Sequence, residues 1–144
     1  MTIANKDTFK KKKKRDVVEF DTDGMTYLLV KPNLYELSLF NDIAESYLIK
    51  LHGIDYSKTS SGSLLKAGLT LAFFLSDSNG NRLFEFKYDK ETLELDQQFV
   101  DDAESVVSNL DVKELKSLSD FIGNLVSDAY DLSVNKDLIA AKKN

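Results

Sequence analysis

LLKAGLTLAFFLSDSNGNRLFEF, residues 64–86, is mostly apolar as far as Leu75, breaks on Asp77-Ser78-Asn79-Gly80-Asn81, and turns apolar again at Leu83. Whether the first half is helix or strand decides the fold. A short apolar run does not separate the two by periodicity alone. Capped by Ser61 or Ser63 and running to about Leu75, it reads as a helix apolar on most sides, which belongs at the centre of a domain. A buried strand at its end is the alternative. The polar break invites a calcium reading. An EF-hand loop needs oxygen ligands at its first, third and fifth positions, glycine at the sixth and glutamate at the twelfth. With Gly80 sixth, Leu75 falls first and Phe86 twelfth, so both decisive positions are apolar. The break therefore reads as an Asn-Gly turn.

Outward from this stretch, helical signals dominate. Upstream, Leu37, Phe40, Ala44, Tyr47 and Leu51 recur at spacings of three and four, with Asn33 as cap, Glu36 at the capping-box position and Gly53 as stop. This predicts a helix from Leu34 to His52. Residues 53–62 form a polar loop. Downstream, short extended pieces through Phe84, Phe86 and Tyr88 lead to a helix opened by Asp96, with Phe99, Ala103, Val106 and Leu110 on one face. Asp111 caps a fourth, with Glu114 at the box position and a stripe of Leu115, Leu118, Ile122, Leu125 and Ala129. Nearer the N-terminus, residues 17–20 and 25–31 flank Asp21-Thr22-Asp23-Gly24, which predicts a β-hairpin ended by Pro32. Aligned on Gly24, this turn fails the calcium test as well, because Val30 falls twelfth. The expected architecture is mainly α (α+β): about four helices, an N-terminal β-hairpin and a disordered basic tail. Its divisions are a tail over 1–15, one globular domain over 16–131, and a C-terminal tail or short helix over 132–144.

Composition bounds the function. The 144 residues include no cysteine and one histidine, so disulfides and thiolate metal sites are excluded and a reducing compartment fits. No apolar run approaches the ~20 residues that span a bilayer, and the basic N-terminal run is not followed by an apolar signal-peptide core. A cytoplasmic protein is expected. Residues 1–15 carry seven Lys/Arg and one acid, a net +6, while the remainder holds 12 basic and 23 acidic side chains, a net −11. Lys10, Lys11, Lys12, Lys13, Lys14 and Arg15 are candidate contacts for an anion or nucleic acid. A solvated tail, or one folded over the acidic body, fits the same charges, and the acidic body opposes flat docking on a phosphate backbone. There is no P-loop, no GxGxxG and no GxSxG elbow. His52 lies near a helix end, where the dipole favours an imidazole, and the aromatic residues fall on apolar stripes. No catalytic residue, cofactor or metal ligand is expected.

The order of the pieces resembles the tail assembly chaperones of long-tailed bacteriophages. The likeness rests on residues 69–75 as an apolar helix, the acidic turn Asp77-Ser78-Asn79-Gly80, Leu83-Phe84, and a helix from Asp96, and it extends over roughly residues 16–130. The resemblance implies a non-enzymatic protein of the host bacterial cytoplasm, absent from the mature virion. It would bind the tape-measure protein, a long helical chain, and hold it in solution while tail-tube subunits assemble. Further partners it implies are the tail-tube protein and a frameshifted longer form of the same chain; a homo-oligomer is a further expectation. The basic tail has no counterpart in that family. Leu132, Val134, Leu138 and Ile139 form an apolar patch that either contacts the partner or folds back on the core. Two other function classes fit the composition: a structural virion protein of the neck, connector or tube end, and a nucleic-acid-binding protein acting through its Lys-rich arm.

Overall fold

Asn33 sets the longest well-capped stretch. In the computed structural model, which describes residues 2–10, 15–22 and 24–130, the Asn33 side chain accepts the Glu36 N–H at 2.8 Å, and the Glu36 carboxylate accepts the Asn33 N–H at 3.5 Å. This capping box starts helix α2 (Leu34–His52), and Gly53, at φ +88°, ends it by donating its N–H to the Ile49 carbonyl. Both bounds agree with the spacing. Before α2 come a short helix α1 (Lys6–Lys10) and an antiparallel hairpin, β1 (Val17–Thr22) with β2 (Met25–Val30). Thr22 pairs with Met25, so β1 runs two residues further than the sequence suggested, while β2 ends at Val30. After α2 follow α3 (Ser60–Phe74), α4 (Gln97–Ser108) and α5 (Val112–Tyr130). The chain is mainly helical with an N-terminal hairpin, as expected.

Two expectations are corrected. The cap of α3 is Thr59, whose hydroxyl accepts the Gly62 N–H at 3.1 Å, and neither Ser61 nor Ser63. A single 3₁₀ turn over Tyr56–Lys58 buries Tyr56 and brings the chain into helical geometry early; Ser63 instead donates its hydroxyl to the Ser57 carbonyl. On α2, Leu48 is buried and Leu51 is 56% exposed. The core stripe runs Leu37, Phe40, Ala44, Leu48, and Tyr47 and Leu51 lie one row aside. Within the N-terminal segment, Asn5 accepts the Asp7 and Thr8 N–H groups at the start of α1, and Arg15 is tied to Glu36. Lys11, Lys12, Lys13 and Lys14 lie outside the described residues.

The decisive run satisfies both of its readings in turn. It is helical to Phe74, after which Leu75 turns extended and bridges Leu29, and Ser76 donates its N–H to the Leu28 carbonyl. The break beyond it is a turn built by Asp77, whose Oδ1 accepts the Asn79 and Asn81 N–H groups at 2.8 and 3.1 Å. Gly80 closes it at φ +80°, facing Arg15; a Cβ there would lie 2.9 Å from the Arg15 carbonyl oxygen. Arg82 then bridges back to Ser76, and Tyr88 bridges Leu95.

The core gathers on α3. Phe40 and Phe73 stack at 4.3 Å, and Phe86 sets its ring edge-on to both and to Phe99 within 5.5 Å. The contact of α3 with α4 is the most extensive between helices. It is close because Gly68 faces Ala103: a Cβ on Gly68 would sit 2.6 Å from the Ala103 carbonyl oxygen. Leu118 and Ile122 of α5 close the remaining side.

Candidate functional site

Three polar clusters lie at the edges of the core. In the first, Arg15 and Arg82 both donate to the Glu36 carboxylate, at 2.8 and 3.2 Å. Arg82 also donates its Nε to the Phe73 carbonyl and lies 4.2 Å from the Phe73 ring centre. Burial alone would raise the Glu36 pKa; the Arg15 hydrogen bond and the two guanidinium charges outweigh it and hold the carboxyl below its ordinary range. In the second, Tyr27 donates its hydroxyl to Glu114 at 2.6 Å. In the third, Tyr56 donates to Glu45. Burial, then the accepting carboxylate, pushes both tyrosines up to about 12. A carboxylate clamped by two arginines is a poor base near neutral pH, and these phenols are poor acids. All three clusters act as ties between elements.

Arg15 was a candidate anion contact; its guanidinium is engaged by Glu36. Lys10 ends α1 at the surface. Leu132, Val134, Leu138 and Ile139 lie outside the described residues. Among the described residues no group of three or more metal-ligating side chains is placed to hold an ion, and no helix is long and apolar enough to cross a membrane.

Among the described residues, two surface grooves expose apolar side chains. The first holds about 270 Å³ between the start of α2 and the end of α5. Pro32, Leu37 and Phe74 form one side, and Leu125, Val126 and Ala129 the other. The half-buried α5 side chains are held there partly by Tyr130, whose hydroxyl meets Ser38 and Asn41 at 3.5 and 3.4 Å. Leu125 and Ala129 were legible on the α5 stripe. Val126 beside Leu125 widens that stripe beyond what one core contact fills, which is the signal that marks the groove.

The second groove, about 320 Å³, lies between the last turns of α2 and the 88–95 turn. Ile43, Tyr47 and Leu51 face Leu93 and Leu95 across it. Leu93 takes a left-handed conformation, φ +59°, which a leucine rarely adopts. Asp89 imposes it: its carboxylate accepts the Glu91 and Thr92 N–H groups, its carbonyl accepts the Leu93 N–H, and its N–H reaches the Glu94 carbonyl. Leu93 is thereby held 45% exposed at the groove edge. The rim carries the Glu94–Lys50 ion pair, 3.5 Å apart. Burial raises the Tyr47 pKa, and the nearby charges of Glu104 and Asp101 add to it. Nothing in the sequence pattern marks a leucine for a left-handed position, so this groove was not legible there.

Compared with known proteins, the chain matches no protein-family model, no curated protein and no solved structure.

Proposed function

We propose that this protein is a tail assembly chaperone of a long-tailed bacteriophage, working without catalysis by lending apolar surface to the tape-measure protein. The observation that carries the reading is the groove between Pro32, Leu37 and Phe74 and the α5 residues Leu125, Val126 and Ala129. A tape-measure chain is a long helix whose apolar stripe lacks cover until the tube closes around it. Helix-in-groove recognition supplies that cover through anchors spaced one turn apart. The groove is mostly apolar and is set where α2, α3 and α5 meet, which suits a chain presenting successive side chains. The excess of acidic groups over basic ones, net −5, keeps the loaded complex dispersed. The sequence resemblance supplies the identity of the partner.

Co-expression with the tape-measure protein of the same genome tests this. The full chain is expected to keep that protein soluble and to co-purify with it, and Val126→Asp is expected to abolish both while circular dichroism stays unchanged. Leu138→Asp with Ile139→Asp asks whether the apolar patch beyond α5 adds contact surface. A folded Val126→Asp variant that still solubilises the partner fully, or abundant copies of the protein in finished virions, would overturn the reading.

A further inference from the structure

The hairpin has one covered edge and one open edge. The Lys31 N–H donates to the Asp16 carbonyl at 2.8 Å, and the register pairs Val17 with Val30. Facing pairs of an antiparallel ladder alternate between bonded and non-bonded. Val18, Phe20 and Thr22 therefore turn their backbone groups toward β2, and Val17, Glu19 and Asp21 turn theirs away. By the same count Leu28 points off the far edge, where its carbonyl accepts the Ser76 N–H. Among the described residues nothing bonds the outward backbone groups of Val17, Glu19 and Asp21. The side chains of β1 divide between two faces. Phe20 packs its ring on Phe121 of α5, centres 4.6 Å apart, whereas Glu19 and Asp21 are exposed on the opposite face. From Asp16 to Val30 the sequence carries four acids and no Lys or Arg. Asp16, Glu19 and Asp21 form no ion pair among the described residues, and the neighbouring Arg15 is held by Glu36.

We propose that β1 docks an extended strand of a partner protein in which Lys or Arg alternates with apolar residues. The backbone of the incoming strand completes the unmet N–H and C=O groups of Val17, Glu19 and Asp21, as in β-strand addition. Pleating then fixes the order of its side chains. Those beside Glu19 and Asp21 stand on the solvent face, where opposite charges across strands attract. Those between them stand beside Val18 and Phe20 on the α5 face, where apolar side chains fit. A second copy of this chain is a poor occupant. Pairing β1 with its own image about Glu19 or Phe20 sets carboxylate against carboxylate, and like charges directly opposite are destabilising. The edge rejects itself and selects a basic strand. It shares no lining residue with either groove, so it stands independently of the proposed chaperone role.

Fluorescence anisotropy on the full chain tests this with a labelled peptide, Thr-Val-Lys-Val-Lys-Val-Thr, and its counterpart carrying Glu in place of Lys. The Lys peptide should bind at least about tenfold more tightly at low salt, and the gap should narrow as salt rises. Glu19→Lys with Asp21→Lys should reverse the preference. Backbone pairing is read separately from charge by comparing Glu19→Pro with Glu19→Thr. Both lose the carboxylate, and only proline loses the outward N–H, which takes no part in the hairpin ladder. Circular dichroism should stay unchanged, and the proline variant should bind at least about fivefold more weakly than the threonine variant. A Lys peptide N-methylated at alternate residues keeps its charge and cannot pair, so it should lose binding to the wild type as well. Equal binding of the Lys and Glu peptides, or full binding of the N-methylated one, overturns the proposal. So does self-association of the wild type that Glu19→Pro abolishes, which would make a second copy the occupant.

Discussion

Glu36 accepts hydrogen bonds from the Asn33 backbone, from Arg15 and from Arg82 with one carboxylate. Because its folded pKa lies below the ordinary value of 4.5, the stabilisation it supplies is complete above that value and is lost as pH falls through the folded pKa. The resistance of the wild type to urea should therefore fall on acidification below about pH 4.5, and Glu36→Gln should flatten that fall. At neutral pH the substitution is expected to remove about 1–2 kcal/mol, toward the lower end of charge-assisted bonds because Arg15 stays 38% exposed. A variant as stable as the wild type at pH 7 and equally acid-sensitive would contradict this. Half of the residue's role was legible: Asn33 and Glu36 stand three apart, and that spacing is itself the capping geometry. The arginines were not legible, because they approach from 21 and 46 positions away and no local spacing encodes the meeting.

At the scale of elements, the α3–α4 contact gives a prediction with a built-in control. Glycine to alanine in an exposed helix interior ordinarily gains up to about 1 kcal/mol. Gly123 on α5 has nothing within 4 Å of a new Cβ, so Gly123→Ala should raise stability by about that amount. Gly68→Ala places its Cβ 2.6 Å from the Ala103 carbonyl oxygen, and separating the helices should instead lower stability by about 1–3 kcal/mol. Chemical denaturation of both variants reads the opposite signs. The helices themselves were largely legible: the capped stripes of α2, α4 and α5 obey helical periodicity, and the Asp-Gly signal placed the hairpin. The exit of α3 into an extended step at Leu75 was visible only as an ambiguity, since each conformation suits an apolar run. The second groove escaped because a hydrogen-bond network around Asp89, and not residue preference, sets the backbone of Leu93.

At the scale of the molecule, both grooves open onto the core, with Leu37 and Phe74 at the floor of one and Ile43 in the other. One apolar groove lies against the end of α5, the other against the end of α2, and the polar clusters join elements between them. The Glu36 cluster ties three segments with one carboxylate. It joins the stem of the basic arm, the opening turn of α2 and the return from the Asp77 turn, while Gly80 lets the Arg15 backbone approach. These segments are anchored to one another, so they form a single cooperative opening unit. In native-state hydrogen–deuterium exchange the amides of Asn81 and Glu36, bonded to Asp77 and Asn33, should share one opening free energy, and Arg82→Ala should lower it for both together. Independent responses would show that the hairpin, the helix start and the turn are merely neighbours.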